Sequence, residues 1–208
     1  MLGTRGALLA GGAGRRLGLG VPKALAVLEG RTLLDRALAT LREVCDTIVV
    51  AMSPKRPLPP ELRAGFETVW DPPGAEGPLA AMIAALAPPG WERAVVLGVD
   101  YPLARADALC ALLDLLPGEA AVVPAPGGRL QPVFAAYAPN AIERLAAAFA
   151  AGARTTVPAV EALGPRVLDD DALARVPGGI ENWLNVNSAE ELEDAARRLR
   201  APADRSRA

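Results

Sequence analysis

A glycine-rich segment near the start of the chain, followed by an isolated lysine, is the first feature that could do chemistry. Four glycines fall within eight residues, 11–18, together with Arg15 and Arg16, and Lys23 lies a few residues beyond them. Closely spaced glycines let backbone N–H groups approach an anion, and cationic side chains add attraction. Lys23 and Lys55 are the only lysines among 22 basic residues, so a specific task explains Lys23 better than chance. The segment is typical of a phosphate site, although a basic turn without a ligand would look the same.

The amino-acid sequence of this segment excludes two common phosphate-binding motifs. A dinucleotide fingerprint needs a glycine where Leu17 stands and an acidic residue after the second strand, where residues 51–53 are Ala, Met and Ser. A P-loop needs Gly-Lys-Ser/Thr, whereas Pro22 and Ala24 flank Lys23. The segment therefore matches neither motif, and what remains is a glycine-rich loop with an arginine near its middle and Pro22-Lys23 after it.

Two aspartates come directly after predicted strands. Asp71 follows the strand predicted at 68–70, and Asp100 follows the apolar strand predicted at 94–99. A carboxylate held rigidly beside a triphosphate is a common ligand of Mg²⁺, so Asp100 is the predicted metal ligand. Each aspartate alone could equally be a helix cap or a turn residue.

A pair of asparagines, Asn185 and Asn187, lies just before the last predicted helix. In an extended segment, alternate side chains point to the same side, so both amides would face one way while Val186 packs inward. An Asx turn that starts the helix is the alternative interpretation. No general base stands out, and an anionic phosphate acceptor would need none.

Short β-type runs alternate with helical periodicity along the whole chain. Strands are predicted at 6–9, 47–52, 68–70, 94–99, 120–124 and 132–137, and helices at 32–44, 77–87, 105–116, 139–150 and 188–199. This alternation predicts an α/β fold, a three-layer, mostly parallel Rossmann-like sheet with helices on both faces. Ligands bind such sheets at the carboxyl ends of the strands. We expect one domain over residues 1–200 and a disordered tail at 201–208.

Composition removes several classes of function. There is no histidine, which excludes Ser-His-Asp and Cys-His nucleophiles and zinc sites of the Cys/His type. The net charge is −2 and no basic stripe occurs, so nucleic acid and membrane surfaces are not expected partners. No apolar run is long enough for a signal-peptide core or a membrane span, so a cytoplasmic protein is expected. Cys45 and Cys110 fall in helical patterns and are expected to be buried thiols.

Taken in order, these motifs resemble those of the MobA-like nucleotidyltransferases. The resemblance runs from about residue 5 to about residue 199 and rests on an ordered set of short motifs rather than on any one. The set comprises Leu-Ala-Gly-Gly at 9–12, Arg-Leu-Gly at 16–18, Lys23, Gly-Pro-Leu-Ala at 77–80, Asp-Tyr-Pro at 100–102, Gln-Pro-Val-Phe-Ala at 131–135 and Asn-Val-Asn-Ser-Ala-Glu-Glu-Leu at 185–192.

The resemblance implies a role for each matching residue. Within the family the best fit is to the guanylyltransferases of molybdenum cofactor biosynthesis, which implies GMP transfer from GTP to the molybdopterin phosphate with Mg²⁺ as cofactor. Molybdoenzyme maturation proteins would be possible further partners. Asp100 would hold the metal, Lys23, Arg16 and Asp100 would be catalytic, and Asn185 and Asn187 would lie near the metal or the acceptor. The implied nucleotide-binding residues are Leu9, Ala10, Gly11, Gly12, Lys23, Asp71, Gly77, Pro78 and Asp100.

Alternatives remain at this point. Pro22 stands where guanylyltransferases often have an acid, and Pro-Lys is commoner in cytidylyltransferases and sugar-nucleotide relatives. CTP as donor, or a sugar 1-phosphate as acceptor, is therefore the nearest rival. A nucleotide-binding module without catalytic activity is the rival from another class, and the retention of Lys23 together with Asp100 counts against it.

Overall fold

The structure is a computed structural model that describes residues 3–12, 14, 20–63, 65–72 and 77–201. Arg16, which the sequence predicts to be catalytic, lies outside these residues, as does the predicted tail from residue 202 onward. The strands of the described part are β1 Gly3–Leu9, β2 Val27–Leu28, β3 Arg31–Thr32, β4 Thr47–Met52, β5 Glu67–Trp70, β6 Trp91–Gly98, β7 Ala121–Pro124, β8 Phe134–Tyr137 and β9 Arg166–Leu168. The helices are α1 Leu33–Arg42, α2 Pro78–Leu86, α3 Ala106–Asp114, α4 Pro139–Ala150, α5 Thr156–Glu161, α6 Asp170–Leu173 and α7 Ala189–Arg200.

Seven of these strands form one sheet in the order β5-β4-β1-β6-β8-β7-β9. β1 pairs in parallel with both β4 and β6, and only β8, among the strands described, runs against its two neighbours. The strand order reverses between β1 and β6. After β1 the chain forms β4 and β5 on one side of β1, and it then crosses over to form β6 on the opposite side of β1. Such a switch point opens a crevice at the carboxyl ends of the strands, where α/β proteins bind ligands.

Helices cover both faces of the sheet and create two apolar cores. Side chains alternate along each strand, so Leu8 and Leu97 pack against α1 and α3, whereas Ala7 and Val96 pack against α2 and α4. Each fully buried Leu or Met side chain contributes about 2 kcal/mol through the apolar surface that it removes from water. The three-layer, mostly parallel α/β fold predicted from the alternation is confirmed.

Strand ends are where the sequence-based boundaries were wrong. β1 begins three residues earlier than predicted and includes the buried polar residues Thr4 and Arg5. β6 likewise begins at Trp91 and includes Arg93, whose Nε donates a hydrogen bond of 2.9 Å to the Thr4 hydroxyl. Polar residues that pair with one another can occupy a sheet, and hydrophobic patterning alone does not detect them.

The prediction for the cysteines also needs correction. Both are free thiols, but Cys45 lies just after α1 and is half-buried, while Cys110 lies on the exposed side of α3. Burial, with the nearby Asp46 charge adding to it, raises the pKa of Cys45 to about 12. In the described part of the chain, no helix has the length and apolar character needed to cross a membrane.

Candidate active site

A cleft of about 340 Å³ opens at the switch point between β1 and β6. Its walls come from the carboxyl ends of four parallel strands and from the start of α2, as the topology requires. The lining residues are Leu9, Gly11, Gly12, Lys23, Ser53, Arg56, Asp71, Gly77, Pro78, Ala81, Gly98, Val99, Asp100 and Val133. Most of the residues that the sequence singled out therefore lie in one place.

Two glycines of the phosphate segment mark the two ends of this cleft. A Cβ added to Gly11 would lie 3.3 Å from the Ser53 nitrogen and 3.7 Å from Asp71 Oδ2. A Cβ added to Gly12 would instead lie 3.5 Å from Lys23 Cδ. Gly11 therefore lies beside Asp71, at a polar end of the cleft, and the next residue, Gly12, lies beside Lys23, at a cationic end.

Lys23 is the buried cation at the second end. It opens a short 3₁₀ turn, Lys23–Leu25, and its side chain is only 9% exposed. Its Nζ donates to Asn187 Oδ1 at 2.8 Å and lies 3.3 Å from Asp100 Oδ2. A charge removed from water needs such partners, so the three side chains form one polar unit.

Asp100 is held by the backbone on both sides. A Cβ on Gly98 would collide with the Asp100 carboxylate, so only glycine leaves room for the side chain at this point. The Asp100 carbonyl accepts a hydrogen bond of 2.8 Å from the Val186 nitrogen, which ties the end of β6 to the asparagine segment. The carboxylate keeps 24% of its side-chain surface exposed toward the cleft. It is a fixed anion that a ligand can still reach.

Tyr101 stabilises the loop after β6 that carries Asp100. Its ring lies 5.2 Å from that of Phe134, edge to face, and its hydroxyl donates to Gln131 Oε1 at 2.7 Å. Burial, with the Asp100 charge as a smaller cause, raises the pKa of Tyr101 above its ordinary value. The hydroxyl therefore stays protonated and acts as a donor that fixes the loop after β6.

The two asparagines separate in the structure. Val186 is fully buried, as the alternation predicts, and Asn187 reaches Lys23. The Glu191 carboxylate accepts hydrogen bonds from the backbone nitrogens of Asn187, at 2.5 Å, and Ser188, at 3.0 Å. Asn185 lines a neighbouring groove with Glu191 rather than the cleft itself. Asn187 is therefore part of the cationic unit, and Asn185 is not.

The remaining predicted nucleotide-binding residues fall into two groups. Asp71 is buried, and its nitrogen continues the β4–β5 ladder with a 2.9 Å hydrogen bond to the Met52 carbonyl. Gly77 precedes α2 with a φ of 137°, a conformation that side chains disfavour. Ala10 does not line the cleft: it packs in the core and donates to the Ala51 carbonyl at 2.9 Å.

Ser53 and Arg56 are cleft residues that the sequence interpretation did not select. Both follow the carboxyl end of β4, and Arg56 Nη1 donates to the Gly11 carbonyl at 3.3 Å. They match no sequence motif, but the rule that ligands bind at the carboxyl ends of strands applies to β4 as it does to β1 and β6. Applying that rule to every strand would have found them.

At the cationic end, the Asp100 carboxylate lines the cleft, and the Asn187 amide oxygen shares the Lys23 ammonium with it; both are oxygen ligands that suit a hard divalent cation. Among the described residues, no group of three or more Asp, Glu, Cys or His side chains could hold a metal unaided. Mg²⁺ in nucleotide enzymes is usually bound by one or two carboxylates, with substrate phosphates and water completing the shell. One carboxylate and one amide oxygen at the cationic end fit a metal that arrives with a triphosphate.

A doubly wound sheet with glycines, a buried lysine and a fixed aspartate at its switch point defines a nucleotide-binding α/β protein. The family model described as the MobA-like NTP transferase domain matches residues 6–167. The chain belongs to this family of nucleotidyltransferases, and the family predicted from the ordered motifs is confirmed.

Individual relatives agree with this assignment. The molybdenum cofactor guanylyltransferase of Acidiphilium cryptum is 39% identical over 151 residues, which cover 67% of this chain and 71% of the relative. That of Desulfosudis oleivorans is 28% identical over 200 residues and covers 94% and 96% of the two chains.

Two solved structures share the fold. Molybdopterin-guanine dinucleotide biosynthesis protein A from Archaeoglobus fulgidus matches with a TM-score of 0.77 at 24% identity, covering 94% of this chain and 98% of that one. The 2-C-methyl-D-erythritol 4-phosphate cytidylyltransferase of Thermus thermophilus matches with a TM-score of 0.65 at 22% identity, covering 94% and 98%. At these identities the likeness concerns the fold alone.

Proposed function

We propose that this chain is a magnesium-dependent guanylyltransferase that joins GMP from GTP to the phosphate of molybdopterin and releases pyrophosphate. The observation that carries the proposal is the unit of Lys23, Asp100 and Asn187 at one end of a cleft whose other end is lined by Asp71. That arrangement provides a cation for phosphates and, away from it, polar groups for a nucleoside. The relatives named as molybdenum cofactor guanylyltransferases support the choice of donor and acceptor.

The chemistry is an in-line displacement at the α-phosphorus of GTP. An oxygen of the molybdopterin phosphate forms the new P–O bond, the bond between the α-phosphorus and the bridging oxygen breaks, and pyrophosphate leaves with the electron pair. The attacking phosphate is already anionic, so no side chain has to remove a proton from it. The chain has to align two anions and stabilise the charge that gathers on the leaving group.

The described residues can divide this work between the two ends of the cleft. Lys23 would bind the phosphates, close to the backbone of Gly11 and Gly12. The nucleoside would be surrounded by Asp71, Gly77 and Pro78. Mg²⁺ held by Asp100, with Asn187 beside it, would supply a second positive charge against the triphosphate. Arg16 keeps the catalytic role that the family resemblance implies.

A cytidylyl or sugar-nucleotide transferase is the alternative that Pro22 favours. In the structure, however, the Pro22 carbonyl accepts a hydrogen bond of 2.9 Å from the Leu25 nitrogen and so starts the 3₁₀ turn that carries Lys23. Pro22 is not among the residues that line the cleft. Pro22 has a φ of −52°, close to the value that the proline ring imposes, so the turn that presents Lys23 offers a local reason for a proline that is independent of the base.

The direct test is product formation with the purified chain, Mg²⁺, molybdopterin and GTP labelled at the α-phosphate. The proposal expects label in a pterin dinucleotide and one pyrophosphate per transfer, both abolished by EDTA. No transfer of label to molybdopterin, or transfer only when a sugar 1-phosphate is offered in its place in a parallel reaction, would contradict it. An Arg63→Ala variant, altered outside the cleft, serves as a control for general loss of activity.

A further inference from the structure

Arg56 lies at the end of the cleft where Gly11 faces Asp71. Its Nη1 donates to the Gly11 carbonyl at 3.3 Å. The α-carbon of Gly11 faces Ser53 and Asp71, since an added Cβ would meet the Ser53 nitrogen at 3.3 Å and Asp71 Oδ2 at 3.7 Å. Arg56 and Asp71 are therefore neighbours across one glycine at the nucleoside end.

These two side chains offer opposite hydrogen-bonding groups. A guanidinium has five N–H donors and no acceptor, while a carboxylate only accepts. Arg56 uses one donor on Gly11, no second hydrogen bond of its side chain appears among the described residues, and the side chain is half-buried. Donors thus remain available to a ligand beside an acceptor.

The fork of donors on the Arg56 guanidinium is what would distinguish guanine from adenine, because both bases carry a donating amino group that a carboxylate such as Asp71 could accept. Guanine carries two neighbouring acceptors, O6 and N7, and an N1–H and 2-amino group that donate. Arginine binds O6 and N7 in a bidentate manner, whereas adenine has a donating amino group at position 6. Resting on the proposed function, we infer that Arg56 is a specificity-determining residue that recognises the 6-oxo group of the purine and rejects ATP.

Two other roles for Arg56 would have different consequences. If Arg56 only supports the glycine segment through the Gly11 carbonyl, its removal weakens the binding of every nucleotide by the same factor. If it attracts the triphosphate by charge alone, the loss is again the same for every base. Recognition of O6 predicts a loss that depends on the base.

Nucleotide binding measured by calorimetry with Mg²⁺ separates these roles without the acceptor. GTP, inosine triphosphate and ATP are compared, because inosine keeps the 6-oxo group but lacks the 2-amino group. Arg56→Ala should weaken the binding of GTP and of inosine triphosphate by about tenfold or more, while the affinity for ATP should stay the same. Arg56→Lys, which keeps the charge but loses the bidentate geometry, should recover only part of the loss.

Arg63 provides the matched control. It lies in the same connection between β4 and β5, but its guanidinium is over the Trp70 ring, 5.7 Å from the centroid, and outside the cleft. Arg63→Ala should leave all three affinities unchanged. Equal losses for all three nucleotides in Arg56→Ala, or no loss, would overturn the inference. A wild-type chain that prefers ATP or binds no GTP would overturn the proposed function as well, and that result is visible before any variant is made.

Discussion

Lys23 occupies the two oxygens at which a metal ion would be expected. Its ammonium lies 2.8 Å from Asn187 Oδ1 and 3.3 Å from Asp100 Oδ2, so its positive charge offsets the negative charge of the aspartate. A triphosphate would offer the ammonium a more highly charged partner and would leave Asp100 to the metal. The same flexible side chain can then follow charge as pyrophosphate departs.

Replacement of Lys23 by alanine should therefore reduce turnover more than it reduces affinity for GTP. Loss of one group that stabilises transition-state charge costs about 100-fold in turnover, whereas ground-state binding is shared with the backbone of the glycine segment. Steady-state kinetics at saturating molybdopterin measure both quantities. The control is Arg63→Ala, which removes a positive charge outside the cleft and should behave like the wild type. A Lys23→Ala enzyme with a raised KM and an unchanged turnover would mean that the lysine only binds substrate.

Asp100→Asn tests the metal ligand with little change in shape. The amide fills the same space beside Gly98 but cannot neutralise a divalent cation, so turnover should fall by about 100-fold or more at ordinary Mg²⁺ concentrations. The variant should keep its fold, since the backbone contact to Val186 is retained, but it should unfold at a somewhat lower temperature, because the buried Lys23 loses its only charged partner among the described residues. Near wild-type turnover would remove Asp100 from the metal site.

At the scale of single residues, the sequence singled out Lys23, Asp100 and Asn187, which the structure brings together, but it did not single out Ser53 or Arg56. Lys23 was recognisable because lysine is otherwise almost absent, and Asp100 because it ends a buried strand. Arg56 carries no such signal in a chain that is rich in arginine. Asn185 was paired with Asn187 by alternation, yet only Asn187 enters the unit, because the chain turns into α7 directly after it.

At the scale of elements, the capping box of α7 connects helix stability to the site. The Ser188 hydroxyl accepts from the Glu191 nitrogen at 3.2 Å, and the Glu191 carboxylate accepts from the nitrogens of Ser188 and Asn187. The carboxylate therefore both caps the helix and fixes the backbone from which Asn187 reaches Lys23. The serine does only the first of these.

Glu191→Ala and Ser188→Ala should differ in activity more than in stability. Removing either half of the box costs about 1 kcal/mol in the free energy of unfolding. Only Glu191→Ala releases the Asn187 backbone, so only this variant should lose turnover, by about tenfold, and Glu191→Gln should recover most of it. Equal turnover in the two alanine variants would show that Glu191 acts on the helix alone.

The elements themselves were largely predictable because most of them bury a continuous apolar face. β4 and α4 have the predicted bounds, and the remaining predicted helices end within a few residues of their predicted limits. The short elements β9, α5 and α6 were missed because three to six residues hold too little periodicity. The antiparallel direction of β8 follows from its connection to β7, which is too short for a crossover helix.

At the scale of the whole molecule, several titratable groups are fully or partly buried against the core. Burial raises the pKa of Cys45 to about 12 and raises the pKa values of Tyr101 and Tyr137 above their ordinary range. Each group binds its proton more tightly in the folded chain than in the unfolded chain. Its contribution to stability is complete below its unfolded pKa and is lost as the pH rises toward its folded pKa.

The free energy of unfolding should therefore fall as the pH rises above about 9, and fall more steeply above about 10, where unfolded tyrosines also ionise. Each group contributes a slope of at most about 1.4 kcal/mol per pH unit. Urea denaturation at pH 8, 9, 10 and 11 measures this change. A Cys45→Ala variant should lose the part between pH 9 and 10, and a stability that is constant to pH 11 would contradict the buried, protonated state of these groups.

The central claim is that the cleft selects GTP for transfer to molybdopterin. The most direct measurement is competition, in which equal concentrations of GTP and CTP, each labelled at the α-phosphate, are offered with Mg²⁺ and limiting molybdopterin. The relatives named as guanylyltransferases, and the inferred contact of Arg56 with guanine O6 and N7, a purine edge that cytosine lacks, predict that the guanine product exceeds the cytosine product by at least about tenfold, or 1.4 kcal/mol of transition-state binding. Equal amounts, or an excess of the cytosine dinucleotide, would contradict the account.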